Sequence, residues 1–175
     1  MRSFESHKHN NDEERRLTLL KKKLLDGQLS LEKFRKILLE RDQSSLLRDA
    51  SLENLKLLTD PEIVQFLDEH LESREEYYRF LSLTEVHVAQ VLFQREKSEK
   101  AFSHFEQAFL HAKKAKMDDG WIAYLEGILT YLQGKEIPKD ILERVTEPRN
   151  KEILIHFNEG LKKRGRPSYL EDYNR

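Results

Sequence analysis

Apolar residues recur along this chain at intervals of three and four, the period of a helix, and no Val/Ile/Thr-rich stretch alternates for long enough to mark a strand. The pattern predicts an all-α protein. Asn11 or Asp12 is placed to cap a first helix running to about Leu25 and stopping at Asp26-Gly27, because glycine accepts the left-handed conformation that ends a helix. Ser30 caps a second helix from Leu31 to about Arg41. Leu20, Leu24, Leu29, Phe34, Ile37 and Leu38 give this hairpin one narrow apolar side, too thin to stand without something to rest on. Ser51 to Leu58 reads as a short helix. Asp60-Pro61 opens another, with aspartate at the cap and proline at the first helical position, where its missing N–H costs nothing.

Ser73 and Glu76 have the capping-box spacing and start a long helix to about Arg95. Leu81, Val88 and Leu92 lie along one side of it and Leu83, Val86, Gln90 and Phe93 along another, so the helix is expected to be buried from two directions. A further helix runs from Ser98 to about Lys116. Asp118 caps the next, whose stripe is Trp121, Leu125, Ile128 and Leu132, whose small side is Ala123 and Gly127, and whose stop is Gly134. Pro138 and Pro148 suit first helical positions, giving a short helix to about Val145 and a last one carrying Ile153, Leu154, Phe157 and Leu161. Residues after Lys163 read as a tail.

Across the turn near residue 96, Val88, Ala89 and Leu92 precede Ala101, Phe105 and Ala108, a small-large-small series. Two helices approach closely only where one offers small residues to the other, with a phenylalanine filling the gap between two alanines. The pair resembles one tetratricopeptide unit, and the likeness extends over about 82–134. Gly127 and Gly134 resemble the small residue and the inter-helix turn of a second unit, but Lys139 and Glu143 stand where its partner helix would show a small and a large apolar residue. The resemblance implies helical hairpins stacked as a short right-handed superhelix that binds peptides on the surface of its first helices. The groove residues would then be Leu83, Val86, Gln90 and Phe93. The basic and asparagine residues of the carboxylate-clamp type are missing from those places, so an apolar helix or strand is the expected ligand. The alternative is that the amino-terminal hairpin covers this groove. That hairpin, at about 17–40, resembles the short SHOCT-type unit through Leu20, Leu24, Asp26, Gly27, Glu32, Phe34, Leu38 and Leu39. The expected organisation is a flexible tail at 1–10, an amino-terminal helical region at 11–72, a tetratricopeptide-like domain at 73–164 and a carboxy-terminal tail at 165–175.

Charge adds little direction, because 31 basic and 32 acidic side chains leave a net charge of -1 and no global field for nucleic acid or an anionic membrane. The chain has no cysteine, which removes disulfides, zinc-thiolate sites and thiol nucleophiles. Neither a signal peptide nor a membrane span is legible, and a cytoplasmic protein is expected. Asp26 to Phe34 looks like the latter half of a calcium loop, but Lys22, Leu24 and Lys33 occupy ligand places. His7 and His9 lie in a polar terminus, and His104 and His111 lie along the margin of a packed face. No catalytic constellation, cofactor motif or metal site is read. In Lys162 to Pro167, the stretch Arg164-Gly165-Arg166-Pro167 is the core of an AT-hook, in which Lys163, Arg164 and Arg166 would contact an A·T-rich minor groove. A basic helix end followed by a proline stop explains the same residues without DNA. The expected function is therefore a non-catalytic helical protein that mediates protein–protein interaction or assembly, with a protein or peptide partner, a second copy included. DNA association through the tail ranks second.

Overall fold

The computed structural model describes residues 2–34, 36–37, 50–71 and 73–173, and among them the all-α expectation is borne out: helices and turns, with no strand. The chain divides into two compact units, Met1–Leu71 and Glu72–Arg175.

The first unit holds α1 (Arg2–Leu25), a helical stretch at 31–34 and 36–37, α2 (Ala50–Thr59) and α3 (Pro61–His70). Residues 2–10, expected as a flexible tail, belong to α1, and the expected cap at Asn11 or Asp12 falls inside it. The segment contains no proline or glycine, and asparagine costs a helix interior only about 0.7 kcal/mol, too little to break it. Gly27 closes the helix at φ +75°, and Ser30 caps the stretch beginning at residue 31 by accepting the Lys33 amide at 3.2 Å. Leu38, Leu39 and the rest of the helix expected to reach Arg41 lie outside the described residues. Asp60 caps α3 as expected, accepting the Glu62 and Ile63 amides at 3.0 and 3.3 Å. Its other oxygen accepts from Lys21 Nζ at 3.0 Å, which ties α1 to the start of α3. Partial burial raises the Asp60 carboxyl, but the lysine and the two amides outweigh it and hold the group below its ordinary range. The hairpin's apolar side rests where the sequence required support: α1 packs on α2 and α3, and Leu24, Phe34, Leu57, Leu58, Ile63 and Leu67 are buried.

The second unit comprises α4 (Arg74–Gln94), α5 (Ser98–Lys114), α6 (Asp119–Leu132), α7 (Lys139–Arg144), α8 (Pro148–Arg164) and α9 (Tyr169–Tyr173). Helix α4 packs on α5, α5 on α6, α6 on both α7 and α8, and α9 on α8 and α4. The α4–α5 pairing is antiparallel, with Phe93 beside Phe105 near the turn and Glu85 bonded to His111 at 3.0 Å farther along. Ala101, Phe105, Ala108 and Ala112 on α5, and Val88 and Ala89 on α4, are completely buried. Ser82 joins three helices, donating to the Ala108 carbonyl at 2.8 Å and accepting from Trp121 Nε1 at 3.4 Å. Ser73 stands at the N-cap of α4 in an extended conformation but makes no capping bond, so the expected capping box does not form. Glu75 and Glu76 still put negative charge at the positive end of the helix dipole.

The connections obey local chemistry. Asp118 caps α6 through the Gly120 amide at 3.1 Å, and Gly134 ends that helix at φ +76°. Gly127 lets α8 approach, since a Cβ there would stand 2.7 Å from the Leu154 side chain. Pro138 is the N-cap of α7 and not its first helical residue, whereas Pro148 takes the first position of α8, with Glu147 accepting the Asn150 amide at 2.9 Å. Lys139 and Glu143, the departures from repeat pattern, are exposed and 3.7 Å apart across one turn of α7.

Candidate functional site

The four residues expected to line a groove lie along α4 with unequal exposure. Val86 is 4% exposed and Phe93 8%, both buried, while Leu83 and Gln90 are half-buried. The cover over Phe93 and Gln90 is the chain's own last segment. The Tyr169 ring stacks on Phe93, with centroids 4.4 Å apart, and Gln90 Nε2 donates to the Tyr173 hydroxyl at 3.0 Å. The expected tail is thus corrected: from Gly165 to Tyr173 the chain folds back onto the unit. The cause is the spacing of Tyr169 and Tyr173, which one helical turn puts on the same side.

Tyr169 fills an aromatic box. Phe93 stacks on it, Phe157 lies 5.6 Å away and Phe105 5.8 Å, both tilted, as aromatic pairs prefer. One turn later the Asp172 side chain is buried, and a buried carboxylate is tolerable only with partners. It has two. Tyr131 Oη and Arg164 Nη2 both donate to its Oδ2. The Ser168 amide donates in turn to the Tyr131 hydroxyl at 2.7 Å, which closes the network. Gly160 makes the notch, because a Cβ at that position would collide with the Asp172 carboxylate. Burial first, then the bond to Asp172, push the Tyr131 phenol well above its ordinary value, and the same carboxylate raises the Arg164 guanidinium.

Beside the segment runs a cleft of about 560 Å³, lined by Phe93, Phe102, Leu132, Pro167, Tyr169 and Leu170, with Glu96 and Glu99 at its margin. Phe102, Leu132 and Leu170 are partly exposed there. The sequence reading missed Tyr131, Gly160, Tyr169 and Asp172. The one available signal was the pair of tyrosines four apart behind Pro167, where a chain running free would gain nothing from them.

Of the residues assigned to a nucleic acid, Lys163 and Arg166 are exposed. Arg164 is not available in the same way: besides Asp172 it meets Glu171 at 3.5 Å, and Gly165 after it is left-handed at φ +73° and not extended. His111 is half-buried and stacks on Tyr78 at 5.6 Å, and His104 is half-buried too. Among the described residues no three His, Asp or Glu side chains stand together as a metal site, and no helix is long and apolar enough to cross a membrane. No family model matches this chain, and neither a curated protein nor a solved structure matches it.

Proposed function

We propose that the second unit is a tetratricopeptide-like interaction module, a short right-handed stack of helical hairpins that receives an apolar helix or strand of another protein and carries out no chemistry itself. The observation that supports this reading is the cleft at the turn end of the α4–α5 pair, where Phe102, Leu132 and Leu170 remain partly exposed around about 560 Å³. Apolar side chains gathered around a concavity gain by being covered, at about 1.5–3 kcal/mol for one fully buried Leu or Phe of a partner. The complete burial of Ala101, Phe105 and Ala108 supports the packing part of the reading, since it is the close approach that the repeat requires.

A photo-crosslinking side chain placed at Phe102 in the full chain tests it inside cells. The expected result is a discrete crosslinked protein that disappears when Leu132→Glu puts a charge in the cleft. Leu110, 48% exposed on the same helix, is the control position. The same products from Phe102 and Leu110, or none from Phe102, would overturn the reading.

A further inference from the structure

The segment at 166–173 is held as a ligand is held. Five residues are too few to maintain a helix through backbone bonds alone, so Tyr169–Tyr173 depends on what it touches. The residues that receive it lie on longer helices: Phe93 and Gln90 on α4, Phe105 on α5, Tyr131 on α6, Gly160 and Arg164 on α8. Those helices also pack directly on one another, α4 on α5, α5 on α6 and α6 on α8. Gly165, exposed and left-handed, ends α8 and gives the segment a pivot. The box accepts an aromatic ring and the notch a carboxylate three positions later. Next to Leu170 the cleft stays open, so a competitor with a larger apolar residue at that position would cover area that the resident leaves exposed. Glu96 and Glu99 line the same cleft as Pro167, and the residue before that proline, upstream of the aromatic, is the exposed cation Arg166.

We propose that this surface is the docking site for a peptide bearing Tyr-x-x-Asp in a single helical turn, and that Tyr169-Leu170-Glu171-Asp172 of the chain itself is its resident, displaceable occupant. The proposal rests on the interaction reading above and supplies the chemistry of the partner: an aromatic ring for the box and a carboxylate for Arg164 and Tyr131. A resident tethered by so short a link acts at an effective concentration of roughly millimolar or more, so a free peptide of the same sequence competes poorly until the resident is weakened.

The test uses the full chain and a fluorescent peptide with the sequence of residues 166–173. Tyr169→Ala/Asp172→Asn in the protein removes the ring and the charge of the resident while leaving every receiving side chain in place. The double variant is expected to keep its helical circular dichroism and to bind the peptide at least tenfold more tightly than the wild-type chain does. Binding is expected to vanish when the peptide carries Asn in place of its Asp, and when Gly160→Ala fills the notch of the double variant. A folded double variant that binds no better than wild type overturns the proposal, as does one that no longer folds, for the segment is then core. Hydrogen exchange on the wild-type protein gives an independent check, with the Asp172 amide, bonded to the Ser168 carbonyl at 3.1 Å, as reporter. Exchange through a local opening, much faster than in α6 and α8, is expected; exchange only on global unfolding overturns the idea. Peptide binding that fails while the Phe102 crosslink persists removes this proposal alone. Loss of the crosslink with peptide binding intact removes the cleft as partner site and leaves the box and notch.

Discussion

Glu96 closes α4 at φ +59°, a region that disfavours any residue with a Cβ. The position is fixed by the turn, in which the Lys97 amide reaches back to the Leu92 carbonyl at 2.9 Å and the Glu96 amide to that of Phe93 at 3.0 Å, the Schellman arrangement. Lys116 repeats the geometry at the end of α5, with the Met117 amide on the Ala112 carbonyl at 3.0 Å. Gly134 does so at the end of α6, this time without strain. Glu96→Gly is therefore expected to stabilise the protein by about 0.5–1 kcal/mol, read as a rise of a few degrees in Tm. An unchanged or lower Tm would mean that the unfolded-state entropy of the new glycine outweighs the strain it relieves. The ends of α4 and α5 both fall where the sequence pattern put them, near Arg95 and Lys116, but the left-handed turns that follow were not equally legible. Gly27 and Gly134 announce their helix ends, whereas Glu96 and Lys116 adopt the same conformation without any residue that advertises it.

At the scale of elements, the α4–α5 pair is the contact on which the second unit is built. Ala101→Leu or Ala108→Leu introduces a side chain where none fits, since both alanines are completely buried, and is expected to cost about 1–3 kcal/mol in chemical denaturation. A change of only a few tenths for both variants would put those alanines outside the close interface. This pair was legible because small-large-small spacing is a direct record of how near a neighbouring helix comes. The helix starts marked by Asp60, Asp118 and Pro148 were legible for a similar reason, each being settled within four residues of chain. Helix α9 was not. Five residues carry no periodicity, and the worth of Tyr169 and Asp172 depends on Phe93, Tyr131 and Gly160, which are distant in sequence. The groove residues show the same division: periodicity marked Val86 and Phe93 as apolar positions needing cover, but what covers Phe93 was decided nearly eighty residues later.

For the whole molecule, pH divides the protein's stability into two limbs. Asp60 and Asp119 titrate below their ordinary range when folded, Asp60 by the balance of burial against Lys21 and its amides, Asp119 through Arg144. Between the folded and unfolded values the unfolded chain binds more protons. Their contribution is thus complete above about pH 4 and is lost as pH falls through the folded values. Tyr124, Tyr131 and Tyr169 shift upward, all of them primarily through burial, so the folded state retains phenolic protons that the unfolded chain releases. Stability conferred by them is complete below about pH 10 and declines as pH rises beyond it. Absorbance of tyrosinate in the helical protein is expected to show Tyr124, Tyr131 and Tyr169 titrating above the ordinary phenol range, Tyr131 and Tyr169 as the segment at 166–173 opens and Tyr124 on unfolding. All six tyrosines of the chain titrating together near pH 10 in a protein that remains helical would contradict the buried network.

The Ser82 hydroxyl, set between the Ala108 carbonyl and the Trp121 indole, has an optical consequence. Trp121 is the sole tryptophan of the chain, and its N–H ends on the atom where α4, α5 and α6 meet. Indole emission thus reports the wetting of that one junction, whereas circular dichroism sums over helices of both units. Recording the two signals along one denaturation distinguishes melting of the first unit, dark in fluorescence, from disassembly of the second.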